Sequence, residues 1–524
     1  MTVEPQAMRL NATARDQTAD LPLPGRCETN IKRKTMFYQS KKVLPWEAKD
    51  YGRVILFFVL HTFILLVLFF LALLSSFNFV FQSAFEWMKE ASSIRQLLYS
   101  AIAINLISVC LFLYYYYEGR DFILRTKNVN LVFVILELSI IVMYMIGKFD
   151  NVYARPFALC ALLSLLLISR KSAVFLNTVV GLLMFVFDAF GNSNPFEGYV
   201  IYSSLIIGYT TSLLSVYLVA GIRSRLTVFL MGFVIAVPVC VCCICLEFDA
   251  FLENPFRFIL YGFTSGLLSV VGMMAFLPFF ERIFNVLTDY RLSEITDHKS
   301  TLIKMLIQQA PGTFNHSLVV STLAESCANA IGENALLARA CAYYHDIGKL
   351  KNPEFFTENQ QGYNPHNELS PELSTDIIRA HAKDGYDLIR KYHLPQILAD
   401  VALQHHGTLP IRFFYAKAQK FTEGDLDIAN FSYPGPKPQT KLAAIIMLAD
   451  GCEAKVRTLP DRSHAKVDAA VREIIEERMD FDQFSECELT MKDIDIIRRT
   501  ITNALAGVYH DRVEYPKLRI GGKH

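Results

Sequence analysis

The sequence is short of charge over a long internal stretch. Lys and Arg number 51 and Asp and Glu 50, yet only 23 of these lie among the 227 positions from Val54 to Phe280. A soluble domain carries roughly 25% charged residues, so this shortage excludes a single soluble globule, and the apolar content excludes a disordered protein. The net charge of +1 gives no bulk attraction to a nucleic-acid polymer, and none is expected as a partner.

Paired cysteine spacings are also lacking. None of the eleven cysteines has a paired spacing in a polar stretch, which excludes a disulfide scaffold and indicates thiols in a reducing compartment. Cys240, Cys242, Cys243 and Cys245 fall inside one apolar run. Because lipid disfavours buried thiolates, we interpret them as neutral thiols rather than as a metal site.

The charge-poor stretch divides into apolar runs of the kind that span a bilayer. A spanning helix needs about 20 mostly apolar residues, since unpaired backbone is not tolerated in hydrocarbon. We identify eight runs, of which the fourth is short: Val54–Ser75, Leu97–Tyr117, Val129–Gly147, Ala154–Ser169, Ser172–Phe190, Tyr199–Gly221, Leu226–Leu246 and Phe258–Phe280.

The Lys and Arg residues orient these runs. They are concentrated in the N-terminal tail and in alternate loops, at Arg120–Lys127, Arg170–Lys171 and Arg223–Arg225. The positive-inside rule therefore places both ends of a multi-pass protein of the cell (inner) membrane in the cytoplasm. The predicted divisions are a flexible tail (1–53), a first membrane helix (54–75), a short extracytoplasmic loop (76–96), a seven-helix membrane domain (97–280) and a cytoplasmic domain (281–524).

Three ionisable residues lie inside the apolar runs: His61, Glu137 and Asp188. Such residues are candidates for sensing or ligand binding, but hydrogen bonds between helices explain them more simply. None resembles a transport pathway of paired acids and bases, so a transporter is not favoured.

From Glu281 onward the pattern is helical. Apolar residues recur at intervals of three and four residues in Thr301–Ala310, Leu318–Ala330, Leu336–Tyr344, Thr375–Tyr392 and Ile397–Leu403. Pro311-Gly312 and Pro395 mark helix ends, and alternating strand patterns are absent. We therefore predict an all-α chain, a polytopic bundle of eight spans followed by an all-α domain.

Histidines are concentrated in this domain. Seven of the twelve lie between His316 and His406, and several adjoin acids or one another, as in His345-Asp346 and His405-His406. Divalent metals favour such imidazole and carboxylate ligands.

Several motifs here resemble a known family. Tyr344–Lys349 (YHDIGK) is the signature of the HD phosphohydrolase superfamily. The motifs around it resemble the seven-transmembrane HD receptor family, in particular its PgpH-type cyclic di-AMP phosphodiesterases; they are Ala310–Ser317 (APGTFNHS), Glu358–His366 (ENQQGYNPH), Gln404–Thr408 (QHHGT) and Tyr433–Thr440 (YPGPKPQT).

The resemblance implies two metal ions held by seven residues. One ion would take His316, His345, Asp346 and Asp450, and the other Asp346, His381, His405 and His406, with Asp346 as the bridge. Ions about 3.5–4 Å apart can clamp a phosphate and lower the pKa of a shared water. The mixed imidazole and carboxylate set suits iron or manganese.

Three further residues have two interpretations each. We assign Lys349 a catalytic role with Asp346, in which it would neutralise a phosphate oxygen. The alternative is a solvated lysine at a helix end. His366 would contact substrate or make a hydrogen bond within its loop. Thr313 would cap the helix that carries His316, which we favour, or contact substrate.

The function implied is a membrane-bound phosphodiesterase that hydrolyses cyclic di-AMP to pApA by a two-metal hydroxide mechanism and so controls a second messenger. A cyclic di-GMP phosphodiesterase is the alternative enzyme; such proteins carry Gly-Tyr-Pro shortly after the paired histidines, where this chain has Gly407-Thr408-Leu409-Pro410. A receptor that binds nucleotide with weak or no catalysis is the other alternative. The expected partners are the cyclic dinucleotide, the lipid bilayer and a second copy in a homodimer.

The sequence departs from the family at two places. Relatives usually insert a large extracellular domain where this chain has only Ser76–Gln96, too few residues for an independent core. Any regulatory input must then enter through the membrane bundle, the tail or a partner. Asn315 stands where relatives often have another histidine, and we expect little effect, because the second residue of that pair is the ligand.

Overall fold

The computed structural model describes residues 48–191, 198–222, 224–421 and 425–508. The N-terminal tail that was predicted to be flexible lies almost wholly outside these ranges. Within them every regular element is a helix, and the only β-type pairing is an isolated bridge between Pro410 and Ser432. The prediction of an all-α chain is confirmed for the described residues.

The N-terminal half is a bundle of long apolar helices joined by short ones. Its α-helices are α1 (Ala48–Ser76), α2 (Phe81–Met88), α3 (Ala91–Glu118), α4 (Arg120–Ile123), α5 (Thr126–Phe149), α6 (Leu159–Leu167), α7 (Arg170–Phe190), α8 (Gly198–Val219), α9 (Arg225–Leu246), α10 (Phe248–Glu253) and α11 (Pro255–Phe284).

By length and composition, six of the described helices can cross a membrane: α1, α3, α5, α7, α9 and α11. Two shorter apolar segments, Val152–Leu167 and Leu205–Val219, lie at the fourth and sixth predicted runs. The exact count of eight spans stays a prediction.

The fourth run is less helical than predicted. A 3₁₀ turn covers Val152–Ala154, and α6 begins only at Leu159. Every residue of α6 is buried, and neighbouring side chains satisfy its free backbone groups: Asn177 accepts a hydrogen bond from the Ala161 N–H and Ser269 from that of Ala158. Irregular backbone is tolerated at membrane depth when protein surrounds it, which explains the short helix.

The ionisable residues of the membrane half pair between helices. His61 Nδ1 lies 2.8 Å from Glu137 Oε1. Arg155 donates two hydrogen bonds to Asp188, at 2.6 and 2.8 Å, and both side chains are 2% exposed. His61 and Arg155 supply the partners of the two acids. The expected hydrogen bonds between helices are present.

The C-terminal half packs around a second apolar core. Its α-helices are α12 (Asp289–Ile295), α13 (Thr301–Gln309), α14 (Pro311–Ala330), α15 (Ala335–Tyr344), α16 (Pro371–Lys391), α17 (Gln396–Gln404), α18 (Arg412–Gln419), α19 (Lys441–Arg457), α20 (His464–Asp480) and α21 (Met491–Val508). Five short 3₁₀ helices lie between them, at Ile347–Lys351, Pro353–Phe355, Thr357–Asn359, Pro365–Asn367 and Ile428–Phe431.

Side-chain caps and prolines set the starts of these helices. Thr288, Asn334, Ser370 and Thr440 each accept a hydrogen bond from a backbone N–H in the first turn of the helix that follows, which satisfies a donor that the helix leaves free. Pro311 and Pro371 occupy first helical positions, where the missing N–H costs nothing. The starts of α12, α14, α15, α16 and α19 therefore each have a local sequence signal.

Candidate metal centre

Five helices bring the predicted ligands to one place. His316 lies in α14, His381 in α16 and Asp450 in α19. His345 and Asp346 directly follow α15, and His405 and His406 directly follow α17. Five of these seven side chains are at most 5% exposed; His406 is 22% and Asp450 15% exposed. All seven residues named from the sequence are thus neighbours in the fold.

Asp346 lies at the centre of the cluster. Its Oδ1 is 3.4 Å from His381 Nε2 and 3.6 Å from His405 Nε2. Its Oδ2 is 3.3 Å from His345 Nε2 and 3.8 Å from His316 Nε2. Because each oxygen faces a different pair of histidines, one carboxylate can serve two cations, as a bridge requires.

Asp450 lies against both sides of the cluster. Its Oδ1 is 3.0 Å from His316 Nε2, and its Oδ2 is 3.8 Å from His406 Nδ1. Two sets of side chains have ligand atoms that all lie within 4.8 Å of one another and share Asp346: one with His381, His405 and His406, the other with His316 and His345. A third set joins Asp450 to His345 and His405.

Hydrogen bonds at the far side of the rings fix four of the histidines. The Nδ1 atoms of His345, His381 and His405 donate to the backbone carbonyls three residues earlier, at 2.6, 2.6 and 2.8 Å. His316 Nδ1 lies 2.6 Å from Glu453 Oε2. Such contacts leave the Nε2 lone pair facing the cluster, which is how proteins orient imidazole for a metal.

Acceptor atoms therefore face one another without a proton between them. His381 Nε2 and His405 Nε2 are 3.4 Å apart, and each also faces Asp346 Oδ1. In the described part of the chain, His345 Nε2 and Asp346 Oδ1 are buried and have no hydrogen-bond partner. Buried acceptors that converge in this way repel one another unless a cation lies among them. The donor set fits two divalent metal ions.

Burial and neighbouring charges keep Asp346, His381 and His406 in the protonation state that binds metal. Burial opposes the charge of Asp346, but Lys349 and His345 outweigh it and hold the pKa of that carboxyl well below its ordinary value. Burial lowers the pKa of His381 to about 3 and lowers that of His406. Burial would also lower the pKa of His316, but its bonds to Asp450 and Glu453 raise it to about 10. A metal at His316 must therefore displace a proton.

Glycine in the signature motif permits the close packing of two ligand-bearing segments. A Cβ atom on Gly348 would lie 2.0 Å from the His381 carbonyl oxygen and 2.5 Å from the Gly385 nitrogen. Only a residue without a side chain allows the 3₁₀ segment after Asp346 to lie against α16. Gly348 thereby sets the distance between Asp346 and His381.

Lys349 is not a solvated lysine at a helix end. Its ammonium lies 2.7 Å from Asp346 Oδ2 and 2.7 Å from Glu358 Oε1, and its side chain is 12% exposed. It therefore lies at the edge of the cluster, where it neutralises one of the predicted ligands.

Thr313 does not cap its helix, so this prediction was wrong. The helix begins at Pro311, and Thr313 is its third residue. The Thr313 N–H donates to Asn359 Oδ1 at 3.1 Å, and its hydroxyl donates to Glu358 Oε1 at 3.1 Å. Asn359 performs the capping instead, from a distant loop that no local pattern marks. The Thr313 side chain is fully buried.

His366 makes a hydrogen bond within its own loop. Its Nε2 lies 3.0 Å from the Phe355 carbonyl, and its ring packs against Phe355 and Phe414. The residue is 6% exposed. Of the two interpretations, these contacts favour the structural one.

The sequence reasoning missed three residues at the site. Glu453 lies one turn after Asp450 on α19, and this three-residue spacing was the available signal. Tyr433 stacks on the His406 ring, with centroids 4.3 Å apart. Glu358 bonds both Lys349 and Thr313. The last two come from long loops, and only the fold brings them here.

Replacing Glu453 with glutamine is expected to weaken metal binding by roughly 10- to 100-fold, because the carboxylate orients His316 and raises its basicity. Titration of the metal-free chain with Mn²⁺, followed by calorimetry, measures the effect. Glu476→Gln, an exposed glutamate on α20, is the control and should bind as the parent chain does. Equal affinity of the two variants would contradict the role given to Glu453.

A helical membrane bundle followed by a helical domain with a buried His/Asp cluster defines a membrane-bound HD-type protein. Comparison with known families agrees. Residues 94–288 match the family "7TM receptor with intracellular HD hydrolase", and residues 313–455 match the HD domain family. The two matches lie in the membrane half and in the C-terminal half of the chain, and they agree with the family that the sequence motifs resemble.

Two known relatives are similar to the chain in sequence. The chain is 36% identical over 441 residues to the cyclic-di-AMP phosphodiesterase PgpH of Bacillus subtilis, which covers 80% of this chain and 61% of that protein. It is 45% identical over 257 residues to PgpH of Listeria monocytogenes, which covers 49% of this chain and 36% of that protein. The chain thus matches about three fifths of one relative's length and about a third of the other's.

Two crystal structures of the L. monocytogenes PgpH HD domain are also similar, one of them in complex with cyclic-di-AMP. They share 46% and 47% sequence identity with this chain, cover 40% and 41% of it and 99% of themselves, and give a TM-score of 0.39.

Proposed function

We propose that the chain is a membrane-bound phosphodiesterase that uses two divalent metal ions to open cyclic di-AMP to the linear dinucleotide pApA. The convergence of the Nε2 atoms of His381, His405 and His345 on the two oxygens of Asp346 carries this proposal. The names of the PgpH relatives support the substrate. Because the ligands are imidazole and carboxylate, iron or manganese is the proposed metal.

The chemistry is hydrolysis of one phosphodiester bond. Bound ions would polarise the phosphate and lower the pKa of a water, so that it attacks phosphorus near neutral pH. Water adds to phosphorus while the bond to the 3′-oxygen breaks, and that oxygen takes up a proton. Asp346 and Asp450 hold the negative charge that localises the cations, and the histidines complete the ligand set without adding charge.

Space for the substrate exists beside His316. A cavity of about 510 Å³ is lined by Asn315, His316, Glu358 and Arg457, among others. Arg457 is half-exposed, and its Nη1 lies 3.6 Å from Glu453 Oε1, so it places a cation at the cavity wall. Glu358 and Glu453 line the same wall, so the second phosphate of a dianionic dinucleotide would bind Arg457 in competition with Glu453.

The membrane arrangement is part of the proposal. We propose eight spans, with Val152–Leu167 and Leu205–Val219 as the fourth and sixth, and with both the N-terminus and the HD domain in the cytoplasm of the cell membrane. The alternation of Lys and Arg between loops supports this orientation. The homodimer stays a prediction. The division of the chain into tail, first helix, loop, seven-helix domain and cytoplasmic domain is proposed together with the eight spans.

The reconstituted full chain, loaded with Mn²⁺, is expected to convert cyclic di-AMP to pApA at least about tenfold faster than it converts cyclic di-GMP. Chromatography of the products from a cyclic dinucleotide panel measures this. Faster turnover of cyclic di-GMP would favour the alternative enzyme. Binding of cyclic di-AMP without cleavage, with both metals present, would favour the receptor.

Lys349→Gln is expected to lower kcat by about 100-fold, because its ammonium lies beside the ligands where phosphate charge develops. Metal content should fall much less, since no predicted ligand is removed. Parallel measurement of kcat, KM and metal stoichiometry separates the two effects. Lys351→Gln, an exposed lysine paired with Asp384, is the control. A Lys349→Gln variant with the parent's kcat would contradict a catalytic role.

A further inference from the structure

A second cavity lies where the last membrane helix joins the HD domain. The helix α11 ends at Phe284, and Asn285 follows in the left-handed region, with φ of 49°. Thr288 then caps α12. A cavity of about 350 Å³ at this joint is lined by the side chains of Phe279, Glu281, Arg282, Ile283, Arg291 and Glu294, so its wall combines apolar and charged groups.

Both acidic residues of the wall are already engaged. Glu281 is 6% exposed and accepts a hydrogen bond from the Thr288 hydroxyl. Glu294 forms an ion pair with Arg225 on α9. Glu294 is thus paired outside the cavity, whereas the charge of Glu281 also acts on Arg291 and raises its pKa.

Arg282 gives the cavity wall its uncompensated positive charge. Arg291 uses Nη1 to donate to the carbonyls of Glu281 and Val286, at 2.9 and 3.4 Å. Burial lowers the pKa of Arg291, the charge of Glu281 raises it, and the charge of Arg282 lowers it. Arg282 makes no hydrogen bond or ion pair with any part of the chain that the structure describes. Because Glu281 offsets the charge of Arg291, Arg282 is the cation of the wall that an added anion would neutralise.

The apolar residues of the cavity wall are exposed near the end of the last membrane helix. Phe279 and Ile283 are 65% and 67% exposed on the last turns of α11, where an apolar run ends at Phe280. Large apolar side chains with this exposure are typical of contact with acyl chains, whereas an arginine beside them, such as Arg282, is typical of the headgroup layer. The cavity thus lies where a phospholipid changes from acyl chain to phosphate.

We propose that this cavity binds an anionic phospholipid, with the phosphate between Arg282 and Arg291 and an acyl chain along Phe279 and Ile283. A lipid in this position contacts α11 through Arg282 and α12 through Arg291. It therefore bridges the membrane bundle and the first helix of the HD domain.

The test measures lipid binding, independently of any hydrolysis. The full chain is solubilised, delipidated and titrated with phosphatidylglycerol or phosphatidylcholine, and bound lipid is counted by native mass spectrometry. We expect the parent chain to retain phosphatidylglycerol in preference to phosphatidylcholine. Arg282→Gln should weaken phosphatidylglycerol binding about fivefold, the effect of one cation near an anionic headgroup.

The matched control is Arg257→Gln, near the opposite end of the same helix, where Arg257 bonds Tyr261. It should bind phosphatidylglycerol at the cavity as the parent does. An equal loss of phosphatidylglycerol binding in the two variants would show a general attraction between charges and would overturn the proposal. Equal retention of phosphatidylglycerol and phosphatidylcholine by the parent chain would also overturn it. Displacement by an equal concentration of glycerol phosphate would show a soluble phosphate to be the ligand and would also overturn it.

Discussion

Replacing Asp346 with alanine is expected to remove both metal ions and to abolish turnover, with a loss of at least about a thousandfold. Asp346 is 1% exposed, and its two oxygens face four histidine nitrogens, at 3.3 to 3.8 Å. Without it, Asp450 is the one carboxylate left among the seven predicted ligands, so the cluster loses half of the negative charge that would hold two cations. Metal analysis by mass spectrometry and the rate of pApA formation measure the two effects.

A comparison of variants separates metal loss from misfolding. Asp384→Ala removes another aspartate of the HD domain, one that forms a half-exposed pair with Lys351, and should retain both metals and full activity. His381→Ala should lose one metal and retain the other, because His381 faces Oδ1 of Asp346 and not Oδ2. Full turnover of Asp346→Ala, or loss of both metals from His381→Ala, would contradict the bridging arrangement.

Much of this site could be predicted from the sequence because its residues occur in short motifs. His345-Asp346 and His405-His406 are adjacent in the chain and follow predicted helices, and the resemblance supplied His316, His381 and Asp450. Their roles as ligands stay proposals, but their proximity is a property of the fold. Local sequence also marked the boundary between α13 and α14 at Pro311-Gly312, although Thr313, which was expected to cap α14, lies inside that helix.

The remaining contacts depend on the tertiary fold. Asn359 caps α14 from a loop 46 positions away in sequence, and Glu358 reaches both Thr313 and Lys349 from the same loop. No periodicity encodes such contacts. In the membrane half, the short α6 was predicted as a longer helix because composition does not show that Asn177 and Ser269 satisfy an irregular backbone.

The sequence pattern also did not predict the intramembrane pair Arg155–Asp188, because Arg155 precedes α6 in an irregular segment and not in a helix. Its guanidinium passes directly over Gly147, where an added Cβ would lie 2.2 Å from Arg155 Nε. The glycine on α5 thus makes room for a cation that reaches Asp188 on α7. Three segments of the bundle meet at this pair.

Arg155→Met is expected to destabilise the membrane bundle by about 3–5 kcal/mol, because it leaves a buried carboxylate without its guanidinium. The apparent Tm of the full chain in detergent should fall by at least about 6 °C. The double variant Arg155→Met/Asp188→Leu removes both charges and should recover most of the loss. Lys171→Met, which breaks the exposed pair with Glu118, should leave Tm unchanged. If the single and double variants had the same Tm, the loss of stability would come from the changed side-chain packing of α5, α7 and the Arg155 segment. That result would contradict a cost from the unpaired charge.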